Sequence, residues 1–295
     1  MRLGVDWGGT KLEVIALDEE GGTLLRERVT TPQNDYSACV KAVADLVIMA
    51  ETRTGETGSV GVGIPGTISP ATGLVKNANS TWMNGKPLQE DLNQVLGREV
   101  RIQNDANCFA VSEAIDGAGE AYHVVVGVIL GTGCGSGIAI DGKAIAGSNG
   151  IAGEFGHTPL APMLEDEFPG NLCWCGRRGC LETYISGTGF LRDYEARLGQ
   201  STQLMASEVI EQGGEAAEAS YAAYCSRLAR GLSMLVNILD PDVIVLGGGM
   251  SNIKSLYDDV PPLMEKHVFS DYFATPIVPA RYGDSSGVRG AAWLW

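Results

Sequence analysis

Cys173, Cys175 and Cys180 stand at C-x-C-x4-C spacing, and His157 lies sixteen positions before the first of them. Three thiols and one imidazole are the donor set that tetrahedral zinc prefers, and with all four positions filled the metal is structural rather than catalytic. Glu154, three residues before His157, and Glu182, two after Cys180, become carboxylates fixed beside that metal. Polar groups held in place are what a sugar-binding pocket requires. The competing reading is a set of core thiols with no metal; a tight cysteine cluster in a glycine-flanked loop argues against it. Cys39, Cys108, Cys134 and Cys225 are scattered and read as small buried hydrophobes, and His123 and His267 have no neighbours that suggest a role.

Two glycine turns offer a second chemistry. In Asp6-Trp7-Gly8-Gly9-Thr10 the glycines let backbone amides approach a phosphate, Thr10 offers a hydroxyl, and Asp6 could hold Mg²⁺ through water. An ordinary tight hairpin fits the same residues. Gly131-Thr132-Gly133-Cys134-Gly135 is a second nest of this kind; it lacks the lysine of a P-loop, so neither a Walker site nor a dinucleotide fingerprint is supported. Gly247-Gly248-Gly249 after an apolar run either lets an adenine lie against bare backbone or is a plain strand-to-helix turn, the reading favoured by that turn alone.

Asn104-Asp105 falls where a strand meets a helix. Asp105 reads as a helix cap, or as a base that takes the proton from a sugar hydroxyl attacking a phosphate; spacing alone favours the cap.

The elements that must position these groups follow from periodicity. Residues 3–30 read as three strands, 36–53 as a helix, 60–64 and 98–102 as strands, and 105–115 as a helix. A long helix over 216–239 carries Tyr224, Leu228, Leu232, Leu235 and Leu239 on one face; a buried strand at 243–246 and a closing apolar helix at 287–295 follow. Residues 4–18 recur as 127–141 with six of fifteen positions identical, and both copies place a glycine turn between two strands. Internal duplication is the better reading, giving two related α/β halves that face each other across a cleft, with nucleotide phosphates clamped between them and any hinge near 116–122.

Length and charge bound the class. The 295 residues suit one large or two medium domains, and 21 Lys+Arg against 36 Asp+Glu gives a net charge of −15. That balance disfavours nucleic acid and anionic membranes as partners. No secretory segment or membrane-length apolar run is evident, so a cytoplasmic protein with reduced thiols is expected.

With these pieces in place the chain resembles the ROK family of bacterial sugar kinases and repressors over its whole length. The motifs that carry the likeness are Asp6-Trp-Gly-Gly-Thr-Lys11, Asn104-Asp105-Ala-Asn107, Gly131-Thr-Gly-Cys-Gly135, Gly153-Glu-Phe-Gly-His157 and Cys173-Trp-Cys-Gly-Arg-Arg-Gly-Cys-Leu-Glu182. The stretches at 75–82, 238–250 and 283–295 look closest to bacterial fructokinases of the mannofructokinase branch. The resemblance implies an actin-like ATPase fold of two ribonuclease-H-like domains, 1–118 completed by a helix at 285–295, and 119–284 with the zinc loop.

It further implies ATP-dependent phosphorylation of a free hexose, D-fructose to fructose 6-phosphate with mannose tolerated, by a homodimer. Asp105 is then the base; Asn79, Asn104, Glu154, His157 and Glu182 hold sugar hydroxyls. Asp6, Gly8, Gly9, Thr10, Lys11, Gly131, Thr132, Gly133 and Gly135 hold ATP phosphates with Mg²⁺, and Gly247 to Gly249 the adenosine. His157 would bind zinc through one ring nitrogen and a hydroxyl through the other. A kinase for glucose, N-acetylglucosamine or N-acetylmannosamine uses the same groups and is the nearest rival, followed by a non-catalytic sugar sensor and an actin-like chaperone ATPase. The family's repressors carry an added N-terminal DNA-binding segment, for which a phosphate turn at residue 6 leaves no room.

Overall fold

Leu3, Val5 and Trp7 alternate with Arg2, Gly4 and Asp6, and Leu12, Val14 and Ala16 repeat the period beyond a glycine turn, the patterning of a hairpin with one buried face. The computed structural model describes residues 1–283 and 286–295. Its elements run β1 (Arg2–Trp7), β2 (Lys11–Leu17), β3 (Thr23–Thr30), α1 (Tyr36–Thr54), β4 (Ser59–Ile64), β5 (Thr67–Ile68), β6 (Val75–Lys76), α2 (Leu88–Leu96), β7 (Val100–Asn104) and α3 (Asp105–Ile115). There follow β8 (Val124–Leu130), β9 (Cys134–Ile140), β10 (Lys143–Ala144), α4 (Glu182–Ile185), α5 (Gly187–Leu198), α6 (Ala206–Gln212), α7 (Glu215–Leu239), β11 (Val243–Gly247), α8 (Leu256–Met264), β12 (Ile277–Pro279) and α9 (Ser286–Ala292).

The chain clusters into two compact units. Met1–His123, Gly137–Gly153 and the C-terminal helix form the first; Val124–Ser136 and Glu154–Gly283 form the second. The sequence reading puts 137–153 in the second domain, whereas here it joins the first: the Asp141 amide bonds the His123 carbonyl at 3.0 Å, and Lys76 Nζ donates to the Asn149 carbonyl at 2.8 Å.

The first unit is built on a sheet of order β3-β2-β1-β4-β7, antiparallel across β3-β2-β1 and parallel across β1-β4-β7. Leu3, Val5, Trp7, Leu12 and Val14 are fully buried against Val43, Val47, Val60 and Val62, each such side chain contributing about 1.5–3 kcal/mol. The strand expected at 98–102 begins instead at Val100: α2 ends on left-handed Gly97, and the Val100 amide is taken by Asn93 Oδ1 at 2.8 Å.

The closing helix spans Ser286–Ala292 rather than running to 295, and Asp284 and Ser285 of that stretch lie outside the described residues. Trp293 and Trp295 leave it to donate their indole N–H groups to Asp116 Oδ2 at 3.1 Å and the Val60 carbonyl at 2.7 Å. Within it, Ser286 Oγ donates to Glu113 Oε1 at 2.7 Å and Arg289 pairs with Asp116. The helix thus fastens α3 to β4.

The second sheet has the order β10-β9-β8-β11-β12, parallel across β8-β11-β12. This is the strand order of the first sheet, in keeping with two related α/β halves. α7 buries Tyr224, Leu228, Leu232 and Leu235 as its spacing requires. It also buries Arg227 and Arg230, which face the cysteine-bearing loop.

Candidate active site

Asp6 and Asp105 both belong to the first unit. Asp6 lies on β1 just before the buried Trp7, and the Gly8–Thr10 turn that follows is closed by the Gly8 amide on the Lys11 carbonyl at 2.9 Å. Thr31 Oγ1 donates to the Gly8 carbonyl at 2.8 Å and the Thr31 amide to that of Thr10 at 3.0 Å, so β3 pins the turn; Thr10 and Lys11 are exposed. Burial and the neighbouring charges of Asp105 and Glu13, only partly offset by Arg28, push the Asp6 carboxyl up to about 7. A carboxyl in this state is one that a divalent cation would return to its charged form.

The cap of α3 is Asn104. Its Oδ1 accepts from the Ala106 amide at 3.0 Å and the Asn107 amide at 3.3 Å, while its Nδ2 donates to the Gly66 carbonyl at 3.1 Å and to Asp105 Oδ1 at 3.0 Å. Both donors and both lone pairs of this amide are therefore engaged. Asn104 ends the strand, starts the helix and bonds Asp105, which is more than the sugar contact expected of it required. Asp105 stands inside the first turn rather than at the cap, where its Oδ1 also accepts from the Ala106 amide at 2.8 Å. Asn79 is exposed in the loop after β6, beside Ala78, whose amide and carbonyl are both held by the Asn84 side chain at 2.9 Å.

In the second unit, residues 158–160 run beside 179–181: the Leu160 amide bonds the Gly179 carbonyl at 2.8 Å and the Leu181 amide that of Thr158 at 2.9 Å. This pairing brings His157 to Cys180. A turn closed by the Cys173 amide on the Arg177 carbonyl at 2.8 Å brings in Cys173 and Cys175. One ligand atom from each of His157, Cys173, Cys175 and Cys180 then lies within 4.8 Å of every other. The Cys175 and Cys180 sulfurs are 3.6 Å apart, and Cys173 Sγ is 3.6 Å from His157 Nδ1. Zinc–sulfur bonds of about 2.3 Å at tetrahedral angles place sulfurs about 3.7 Å apart, so the donor set fits the metal. All seven cysteines are free thiols.

Glu154 is exposed and opens the short turn carrying His157. Glu182 starts α4, and its Oε2 accepts from the Cys134 amide at 3.1 Å. A side chain at Gly133 would put its Cβ 2.6 Å from that oxygen, so only glycine lets the carboxylate dock here.

The two glycine runs of this unit meet. Gly248 sits at φ 81°, and a Cβ on it would fall 2.6 Å from the Leu130 carbonyl. The Gly187 amide bonds the Gly131 carbonyl at 2.7 Å, and Thr188 Oγ1 donates to the Thr132 carbonyl at 2.7 Å. Gly131, Thr132, Gly249, Met250, Leu191 and Met205 line one cavity of about 360 Å³. The third run is the strand-to-helix turn of the plainer reading: Gly247 ends β11, the chain turns, and Gly249 lines this cavity. Sequence reasoning missed Gly187, Thr188 and Met205; the only available signal was Ser186, which caps α5 through the Gly189 amide at 3.0 Å.

The loop is anchored by a charge cluster that local patterning does not reveal. Glu167 accepts from Arg230 Nη1 at 2.8 Å, Arg230 Nη2 at 2.6 Å and Arg227 Nε at 3.0 Å. Burial works to raise its pKa, but the guanidiniums and the Leu164 amide outweigh it and hold the carboxyl at about 2.

Two sheets of one strand order, each with a glycine turn after its first strand, define the class of actin-like ATPase folds. The chain belongs to the ROK family, whose model matches residues 2–295. It has the sugar-kinase fold of that family: it is similar to the ROK hexokinase of Thermus thermophilus (28% identity, TM-score 0.88, 99% of this chain and 97% of that one). It is also similar to the ROK glucokinase of Streptomyces griseus, solved with glucose and AMPPNP (30% identity, TM-score 0.81, 99% and 98% covered). Among curated relatives, the N-acetyl-D-glucosamine kinases of Haemophilus influenzae (42% identical over 303 residues) and Salmonella paratyphi C (43% over 301) cover all of this chain and 99% of their own. The resemblance to fructokinases read from 75–82, 238–250 and 283–295 is not what these relatives carry in their names. No helix among the described residues is long and apolar enough to cross a membrane.

Proposed function

We propose that this protein is an ATP-dependent N-acetyl-D-glucosamine kinase acting on the sugar's primary hydroxyl. The observation that carries the choice of sugar is the full-length similarity, at 42–43% identity, to N-acetyl-D-glucosamine kinases. The fructose expectation gives way to it, because the hydroxyl-binding groups are shared among these sugars and cannot separate them.

In this reading Asp105, aimed by Asn104, takes the hydroxyl proton as that oxygen attacks the γ-phosphate; positioning and charge neutralisation do most of the remaining work. Glu154, His157 and Glu182 hold the sugar, with Asn79 and Asn104 further contacts. The Gly8–Thr10 turn with Lys11 and the Gly131–Gly135 turn receive phosphates, and the cavity beside Gly249 receives the adenosine. Mg²⁺, bound with the nucleotide beside Asp6, supplies charge neutralisation. Zinc held by His157, Cys173, Cys175 and Cys180 fixes the His157 ring and so aims its other nitrogen. Assembly as a homodimer belongs to the same proposal.

The test is ADP release over a panel of N-acetylglucosamine, N-acetylmannosamine, glucose, mannose and fructose. The highest kcat/KM is expected for N-acetylglucosamine. A clear preference for another sugar overturns the substrate, and ATP consumption that ignores sugar overturns the kinase.

A further inference from the structure

Trp174 stands between two zinc-ligand cysteines, where nothing in metal binding requires an aromatic residue, and it is 70% exposed. A tryptophan this open to solvent adds little to a core, so its contacts call for another explanation. Its indole N–H donates to Glu182 Oε1 at 2.7 Å. Its ring meets the His157 imidazole edge to face, with centroids 5.0 Å apart and planes at 79°. One side chain therefore touches both a carboxylate and an imidazole assigned to the sugar.

The other partners of Glu182 explain the need. Oε2 is held by the Cys134 amide, whereas among the described residues the other neighbour of Oε1 is Cys173 Sγ at 3.8 Å. As a thiol, Cys173 donates weakly; as a zinc ligand it is a thiolate with no proton to give and a charge of the same sign as Glu182. In the metal-loaded protein the indole N–H is then the donor that keeps Oε1 in place. We infer that Trp174 is a positioning residue: it locks Glu182 in its sugar-binding orientation, packs the His157 ring alongside, and couples the zinc loop to sugar affinity. This rests on the kinase reading above.

The experiment compares the zinc-loaded protein with Trp174→Phe, which keeps an aromatic ring and loses the N–H. KM for the sugar should rise about tenfold, as expected for a lost hydrogen bond to a charged group. KM for ATP should stay within about twofold and zinc content should not change, because Phe leaves the four ligands and the nucleotide side intact. In a Glu182→Gln background the same substitution should add less than about twofold, since the two groups act as a pair. Sugar titrated without nucleotide should alter the tryptophan fluorescence of the unmodified protein and much less that of the variant. An unchanged sugar KM, an equal rise in both KM values, or full additivity with Glu182→Gln overturns the assignment while leaving the kinase standing. Absence of sugar-dependent turnover in the unmodified protein overturns both.

Discussion

The Cys134 amide donates to Glu182 Oε2 across 3.1 Å, and the absence of a side chain on Gly133 is what lets the carboxylate reach it. The turn assigned to phosphate and the carboxylate assigned to sugar are thereby adjacent parts of one rigid patch. A side chain at position 133 would displace the carboxylate, whereas losing the partner of Oε1 alone leaves the bond to the Cys134 amide in place.

Asp105→Asn is expected to lose turnover by about two to four orders of magnitude, the range contributed by a positioned base, while its sugar Kd shifts by about twofold or less. Single-turnover kinetics together with equilibrium sugar binding separate the two effects. Turnover close to that of the unmodified protein would remove Asp105 from the chemistry.

Asn104→Ala removes both the cap of α3 and the amide that aims Asp105. Unfolding free energy should fall by about 1 kcal/mol, and kcat should fall more than KM rises. Asn104→Asp, which keeps a capping oxygen but no N–H for Asp105, should recover stability without recovering kcat. Full recovery of kcat would show that the cap alone matters.

Cys175→Ser should strip zinc from the site and weaken sugar binding by about 10- to 100-fold, because His157 loses the bond that orients it. Metal analysis of the purified variant and sugar titration are read together. Retained zinc with unchanged affinity contradicts the coupling.

Glu167 fixes a pH dependence. Its folded pKa of about 2 lies below the ordinary 4.5, so the folded state binds fewer protons than the unfolded state in that window. Its contribution to stability is thus present above pH 4.5 and is lost as pH falls towards about 2. Glu167→Gln should flatten this limb of the stability curve and cost about 3–5 kcal/mol at neutral pH, because Arg230 and Arg227 stay buried without their main anion. Urea unfolding at pH 7 and pH 3 gives both quantities; an acid limb as steep as that of the unmodified protein would exclude Glu167 as its source.

What was legible in the chain is what repeats locally. Period-2 alternation announced β1 and β2, the recurrence of 4–18 at 127–141 announced two related α/β halves, and C-x-C-x4-C with His157 announced four donors that do converge. The cap was misplaced by one residue because Asn and Asp both cap helices, and only the bonds of the Asn104 amide decide between neighbours. The Glu167–Arg230 pair joins residues 63 apart, and no local pattern encodes such a contact. The return of 137–153 to the first unit likewise follows from partners at His123 and Lys76 that a strand pattern does not name. The choice of sugar was illegible for a chemical reason: the same hydroxyl-binding groups serve several hexoses.

The helix that fastens α3 to β4 has a consequence for synthesis. Ser286 reaches Glu113 across 173 residues of chain, and Arg289 and Trp293 meet Asp116 across a similar span. A ribosome delivers the chain from its N-terminus at about 5–20 residues per second. The first sheet therefore waits for roughly ten seconds or more, its Val60 carbonyl lacking the Trp295 indole, while the whole second unit is made. The half translated first is the half that finishes last, and over that interval its sheet and α3 lack the C-terminal helix that covers them.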